Sequence, residues 1–221
     1  MKEKCHVFLV NFEDDTLGHI YGADITIYDE TASINDFLSS LDEFAYTNLE
    51  ECGECNGCCY ERAPIISPDI PALSSLLPAS ELPITKVCDA FANIQTDKNG
   101  ITDITLKRSI DNACIFLDKA ARRCGNHTKR PFVCRSHFCL PRSPRLEKLR
   151  EELINAGEND LTSLILAEEA FFATGIESKL SSLINPDDYE QGPRLGCRDY
   201  SEIIIKDIIS QKLWQQLFFL D

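Results

Sequence analysis

The sequence predicts an α+β protein in three stretches: an N-terminal β-hairpin and helix over 1–48, a cysteine-rich module of short strands and helices over 49–142, and a helical segment over 143–221. Three observations predict it. Two β-branched, aromatic runs flank an acidic turn near the N-terminus. Eight of the eleven cysteines fall in two groups, Cys52–Cys59 and Cys114–Cys139. Apolar residues recur at helical spacing beyond Pro144.

Each element has a local reason. Residues 6–12 and 20–28 read as strands joined by the turn Glu13–Gly18. Ser33 with Asp36 three residues on is a capping pair, and Ile34, Phe37, Leu38, Leu41 and Phe44 supply the apolar stripe of the helix behind it. Ser67-Pro68-Asp69-Ile70 reads as an N-cap with proline at the first helical position, and Pro78 and Pro83 end that helix near Leu77. A second short helix is expected over Thr85–Gln95, a turn at Asp97-Lys98-Asn99-Gly100, and short strands over Ile101–Arg108 and Cys114–Leu117. Pro141 and Pro144 close the module. Helices are expected over Arg145–Ala156 (ending near Gly157), over Leu161–Ile184 with a break near Gly175, and over Tyr200–Leu220.

Composition excludes several classes. A hydrophobic fraction of 43% is that of a globular chain. No stretch of about 18 apolar residues is present, so no transmembrane helix is expected. Met1–Phe12 holds only a short apolar run before Glu13-Asp14-Asp15, which lacks the features of a signal peptide, and a cytoplasmic protein is expected. The net charge of −14 repels nucleic acid. That charge is uneven: Lys119–Arg150 holds ten Lys and Arg against Glu147, so it carries +9 and leaves −23 elsewhere.

Disulfides rarely persist in the cytosol, and 221 residues bury a core without them. The thiols therefore read as metal ligands. Cys52, Cys55, Cys58 and Cys59 form a CxxCxxCC run in which Gly53 and Gly57 allow tight curvature around an ion or cluster. Cys114, Cys124, Cys134 and Cys139 complete a candidate set of eight. Adjacent side chains diverge, so Cys58 and Cys59 serve two sites, or one is a ligand and the other a free or redox-active thiol. Two four-thiolate sites and one cluster with spare thiols remain open. His127 and His137 lie within the second group, where hydrogen bonding to sulfur or carbonyl is the simpler role. Cys88 reads as a small buried thiol, and Cys197, beside Arg198, likewise. Arg130 and Arg135 flank Cys134 and are the candidate cofactor-binding cations: they neutralise a thiolate centre, or they form a pocket for an anion.

Read in order, Cys52-Gly53-Glu54-Cys55-Asn56-Gly57-Cys58-Cys59, Ser67-Pro68-Asp69-Ile70, Cys114-Ile115-Phe116-Leu117, Cys124 and Arg130-Pro131-Phe132-Val133-Cys134-Arg135 resemble the bacterial cysteine-cluster family of YkgJ type, a zinc- or iron-chelating domain. The resemblance covers roughly 50–142. The family often has Ile-Tyr where this chain has Asn126-His127, and 1–45 and 145–221 have no counterpart. The resemblance implies a bound metal. With the i, i+3, i+6 ligand loop it favours an iron–sulfur cluster, 4Fe–4S, with zinc as the alternative. A similar domain occurs in flagellin lysine methylases, which implies a peptide or protein substrate. No GxGxxG loop and no CxxxCxxC run is present, so neither a Rossmann methyltransferase nor a radical S-adenosylmethionine enzyme is expected. Two classes stay open: a redox or protein-modifying enzyme, and a zinc-stabilised binding module without activity.

Overall fold

The computed structural model describes residues 3–14, 18–49, 56–79, 82–99, 101–172, 189 and 192–219. In chain order the elements are β1 (Cys5–Asp14), β2 (Gly18–Ile27), α1 (Ile34–Asn48), α2 (Ile70–Ser74), α3 (Ile84–Phe91), β3 (Ala92–Thr96), β4 (Thr102–Leu106), β5 (Leu117–Asp118), β6 (Arg123–Cys124), α4 (Phe132–Arg135), α5 (Pro144–Phe172) and α6 (Gln211–Leu217). Short 3₁₀ turns lie among them at Gly57–Tyr60, Ser67–Asp69, His127–Lys129, Tyr200–Glu202 and Ile205–Asp207. The α+β class holds, with three separate antiparallel hairpins among the described residues: β1–β2, β3–β4 and β5–β6. No helix among the described residues is long and apolar enough to cross a membrane.

The chain divides into two compact units. One comprises 1–51, 135–153 and 199–221; the other comprises 52–134 and 154–198. In the first, β1 and β2 pair in a register that sets Cys5 against Ile27 and Val7 against Ile25, and all four side chains are buried. Helix α1 buries Ile34, Phe37, Leu38, Leu41 and Phe44. Its start is the expected capping box: the Asp36 amide donates to Ser33 Oγ at 3.2 Å, and the Ser33 amide donates to Asp36 Oδ2 at 2.8 Å.

The expected helix over Tyr200–Leu220 is not formed. The structure has two 3₁₀ turns followed by the seven-residue α6. The reason is backbone pairing. The Ile34 amide donates to the Ile203 carbonyl and the Ile205 amide to the Ala32 carbonyl, both at 2.9 Å, which holds 203–204 extended up to the turn that starts at Ile205. Ser210 then caps α6, its Oγ accepting from the Leu213 amide.

The second unit is built on β3–β4. The segment 63–65 lies along β4, with the Ile65 amide donating to Ile104 O and the Leu106 amide to Ala63 O, each at 2.8 Å. The helix expected over Thr85–Gln95 stops at Phe91, because residues 92–96 pair with β4. Asp97 sets the turn between them: its Oδ1 accepts from the Asn99 and Ile101 amides at 2.8 and 2.9 Å. α3 has no side-chain cap of its own. Glu168 supplies one, taking the Ile84 and Thr85 amides at 2.9 and 2.7 Å. The expected strand at Cys114–Leu117 is shifted to Leu117–Asp118, paired with Arg123–Cys124.

Two further expectations are corrected. Ser67 caps nothing: it is fully buried, and its hydroxyl donates to Asp160 Oδ2 at 2.7 Å. The helix does not end near Gly157; α5 runs without interruption from Pro144 to Phe172. The expected break near Gly175 and the rest of the stretch to Ile184 lie outside the described residues.

Candidate metal centre

Among the described residues, the candidate cysteines Cys58, Cys59, Cys114, Cys124 and Cys134 belong to the second unit, where they lie on separate segments. Cys58 and Cys59 sit on the 3₁₀ turn Gly57–Tyr60, closed by the Cys59 amide donating to Asn56 O at 3.0 Å. The Cys114 amide donates to Cys59 O at 2.8 Å, which fastens the second group of thiols to the first. Cys124 stands on β6 opposite Leu117 of β5. Cys134 lies in the single turn of α4, its amide donating to Pro131 O at 3.0 Å.

The thiols perturb one another. Burial pushes Cys59 up to about 12, and the charges that Cys58, Cys114 and Cys124 would carry add to it, as does a hydrogen bond with Cys58. Burial raises Cys134, followed by the charges of Cys114, Asp69, Cys58 and Cys124. Burial also raises Cys114, opposed in part by a hydrogen bond from the Phe116 amide and by the Arg108 guanidinium. Arg108 was not singled out by its sequence context, where no spacing distinguishes it. It ties the two cysteine segments together: it donates to Tyr60 O and Asn112 O, both at 2.8 Å, and to Glu61 O.

The donor chemistry fits a thiolate-bound metal. These are soft ligands: Cys58 is exposed and the other four are half-buried, and burial together with the charges of neighbouring thiols raises Cys59, Cys114 and Cys134. Among the described residues no three His, Cys, Asp or Glu side chains are drawn onto one point closely enough to hold an ion. Cys52 and Cys55, the first two cysteines of the run, lie outside those residues.

The remaining candidates are placed as follows. Cys139 is exposed and belongs to the first unit, as does Arg135, which pairs with Asp42 there (Nη2 to Oδ2, 2.8 Å). Arg130 belongs to the second unit, where it donates from Nε to His127 O at 3.2 Å and from Nη1 to Cys134 O at 3.3 Å. Cys88 is 3% exposed within the core around β3 and β4, and Cys197 packs on the same core. Burial pushes their thiols up to about 12 and about 11, with the Cys197 charge next for Cys88 and the Asp160 charge next for Cys197. An open hollow of about 490 Å³ adjoins the segment between Cys114 and Cys124, lined by Leu76, Phe91, Ile115, Phe116, Leu117 and Gly125 among others.

Residues 51–155 match the family model described as "CxxCxxCC: Putative zinc- or iron-chelating domain". No curated protein and no solved structure matches the chain.

Proposed function

We propose that this chain, whose residues 51–155 match the CxxCxxCC zinc- or iron-chelating domain model, binds an iron–sulfur cluster of the 4Fe–4S type and serves a redox or peptide-modifying reaction. The observation that carries the reading is the placement of Cys58, Cys59, Cys114, Cys124 and Cys134 on segments of the second unit that backbone bonds tie together, the Cys114 amide donating to Cys59 O and the Gly125 amide to Phe116 O. With Cys52 and Cys55 from the same run, that is more thiols than the four that either a zinc ion or a 4Fe–4S cluster takes, and the cluster is favoured on the family resemblance and the i, i+3, i+6 spacing of Cys52, Cys55 and Cys58. The bound group would supply one-electron chemistry, its potential set by hydrogen bonds and exposure at the sulfurs.

The chain's own residues do the rest. Arg108 holds the turn of Cys58 and Cys59 to the loop before Cys114. Arg130 holds the carbonyl of Cys134 to that of His127. The two guanidinium groups also place positive charge beside thiols that are negative once ligated. The apolar hollow along 115–117 offers a place for a peptide side chain next to the centre.

The alternative is a zinc-stabilised module without activity. It is favoured by the burial around Cys134, which suits a closed site. Anaerobic purification with iron, zinc and labile-sulfide analysis separates the two. Brown protein with iron and sulfide in equal amounts supports the cluster. Colourless protein with stoichiometric zinc and no sulfide gives the scaffold.

A further inference from the structure

Asp69 is 1% exposed. Its two carboxylate oxygens accept from backbone amides far apart in the chain: Oδ2 from Ile66 at 2.8 Å and Oδ1 from Phe132 at 2.7 Å. Ile66 follows Cys59 by seven residues, and Phe132 precedes Cys134 by two. A hydroxyl or an amide oxygen can serve one such donor well. Two donors converging from segments more than sixty residues apart call for two acceptor atoms on one rigid plane, which a carboxylate provides.

The Phe132 amide is the first N–H of α4, a helix of only four residues that cannot hold its own orientation. Phe132 itself is fully buried, so both its ring and its N–H are fixed.

We propose that Asp69 is the positioning residue of the thiolate centre: its carboxylate fixes the start of α4 against the segment that follows Cys58 and Cys59, and so sets the direction of Cys134. This rests on the metal-binding reading of the same site. Groups one step behind the ligands of a metal commonly change its affinity by about 10–100-fold when removed.

The test compares Asp69→Asn with Leu73→Ala, a change at a fully packed α2 residue of the same unit that leaves the carboxylate in place. Asn keeps the shape but sets an NH2 group against one of the two amides. Two quantities are read for each variant and for wild type: Zn(II) affinity by chelator competition, and the rate of Cys134 alkylation by iodoacetamide in metal-free protein, mapped by mass spectrometry with Cys88 as internal standard. Asp69→Asn is expected to weaken Zn(II) by at least tenfold and to speed alkylation of Cys134 by at least tenfold, with Cys88 unchanged. Leu73→Ala is expected to lower Tm and do neither. Wild-type values in Asp69→Asn overturn the proposal. So does equal loss in Leu73→Ala, since that would make Asp69 a stabilising residue and nothing more. If wild type itself binds no metal, the metal-binding reading falls, and the alkylation rates alone decide whether Asp69 positions Cys134.

Discussion

Gly157 lies against Ile66 with no room for a side chain. A Cβ built on Gly157 would stand 2.7 Å from Ile66 Cγ2 and nearer still to Ile66 Cβ. A residue that reads as a helix stop is thus a contact point, where α5 passes the segment linking the paired cysteines to α2. Gly157→Ala at an exposed helical position would stabilise by up to about 1 kcal/mol. Here overpacking of about 1–3 kcal/mol outweighs that gain. Urea unfolding should therefore show the alanine variant to be less stable than wild type. An equal or higher midpoint would mean that α5 and the 63–66 segment do not pack this closely.

Glu158 follows directly and carries a pH dependence. It is 8% exposed, and burial pushes its carboxyl up to about 7, with the Arg62 guanidinium 3.2 Å away opposing the shift and Asp103 adding to it. The folded protein then holds a proton between about pH 4.5 and 7 that the unfolded chain has released, so stability falls as pH rises through that window. Glu158→Gln removes this contribution, on the order of 3 kcal/mol from the shift itself. The stability difference between variant and wild type, measured by urea unfolding at pH 5 and pH 8, should move in favour of the variant at the higher pH. A difference independent of pH would show that Glu158 is charged throughout.

Removal of single thiols should sort the ligands. The strongest charges on Cys59, Cys114 and Cys134 come from within the group Cys58, Cys114 and Cys124, with Asp69 beside Cys134. Cys58→Ser, Cys114→Ser and Cys134→Ser are expected to lose most of the bound metal and several degrees of Tm, because site formation and folding are coupled. Cys139→Ser should keep both. Full occupancy in the first three variants would refute a centre built on these thiols.

The two arginines around Cys134 should behave differently. Arg130 engages two carbonyls with one planar fork, which Lys cannot reproduce. Arg130→Lys should therefore lower metal content or the temperature at which metal is released. Arg135 pairs with Asp42, a partner about half exposed, so the bond is worth no more than about 1 kcal/mol. Arg135→Gln is expected to leave metal content unchanged and stability nearly so. The reverse ranking, with Arg135 decisive and Arg130 dispensable, would give Arg135 a ligand of its own.

Much of the architecture is written in short-range pattern. The β1–β2 hairpin follows from β-branched and aromatic residues around an acidic turn, and α1 from the Ser33–Asp36 pair with five apolar residues at helical spacing. The CxxCxxCC run and the cysteines that follow it announce thiolate chemistry from composition and spacing alone. These signals are local: each depends on residues within a few positions of one another, and a turn of helix or a pair of strands satisfies them without help.

The rest depended on partners distant in the chain. The isoleucines of 203–205 carry a helical apolar pattern, yet their backbone pairs at Ala32 and Ile34, and extended hydrogen bonds there outweigh a weak helical preference. Residues 92–95 leave the expected helix for the same reason, since β4 supplies their partners. Gly157 passes from helix stop to helix interior because Ile66 fills the space its missing side chain leaves. Asp69 reads as a helix-start residue, but only folding brings the Phe132 amide to its second oxygen and joins two halves of the cysteine centre. Residue types and spacings determined which chemistry this protein could hold. Which thiols share a neighbourhood, and what keeps them there, was decided by contacts between segments tens of residues apart, which no local propensity encodes.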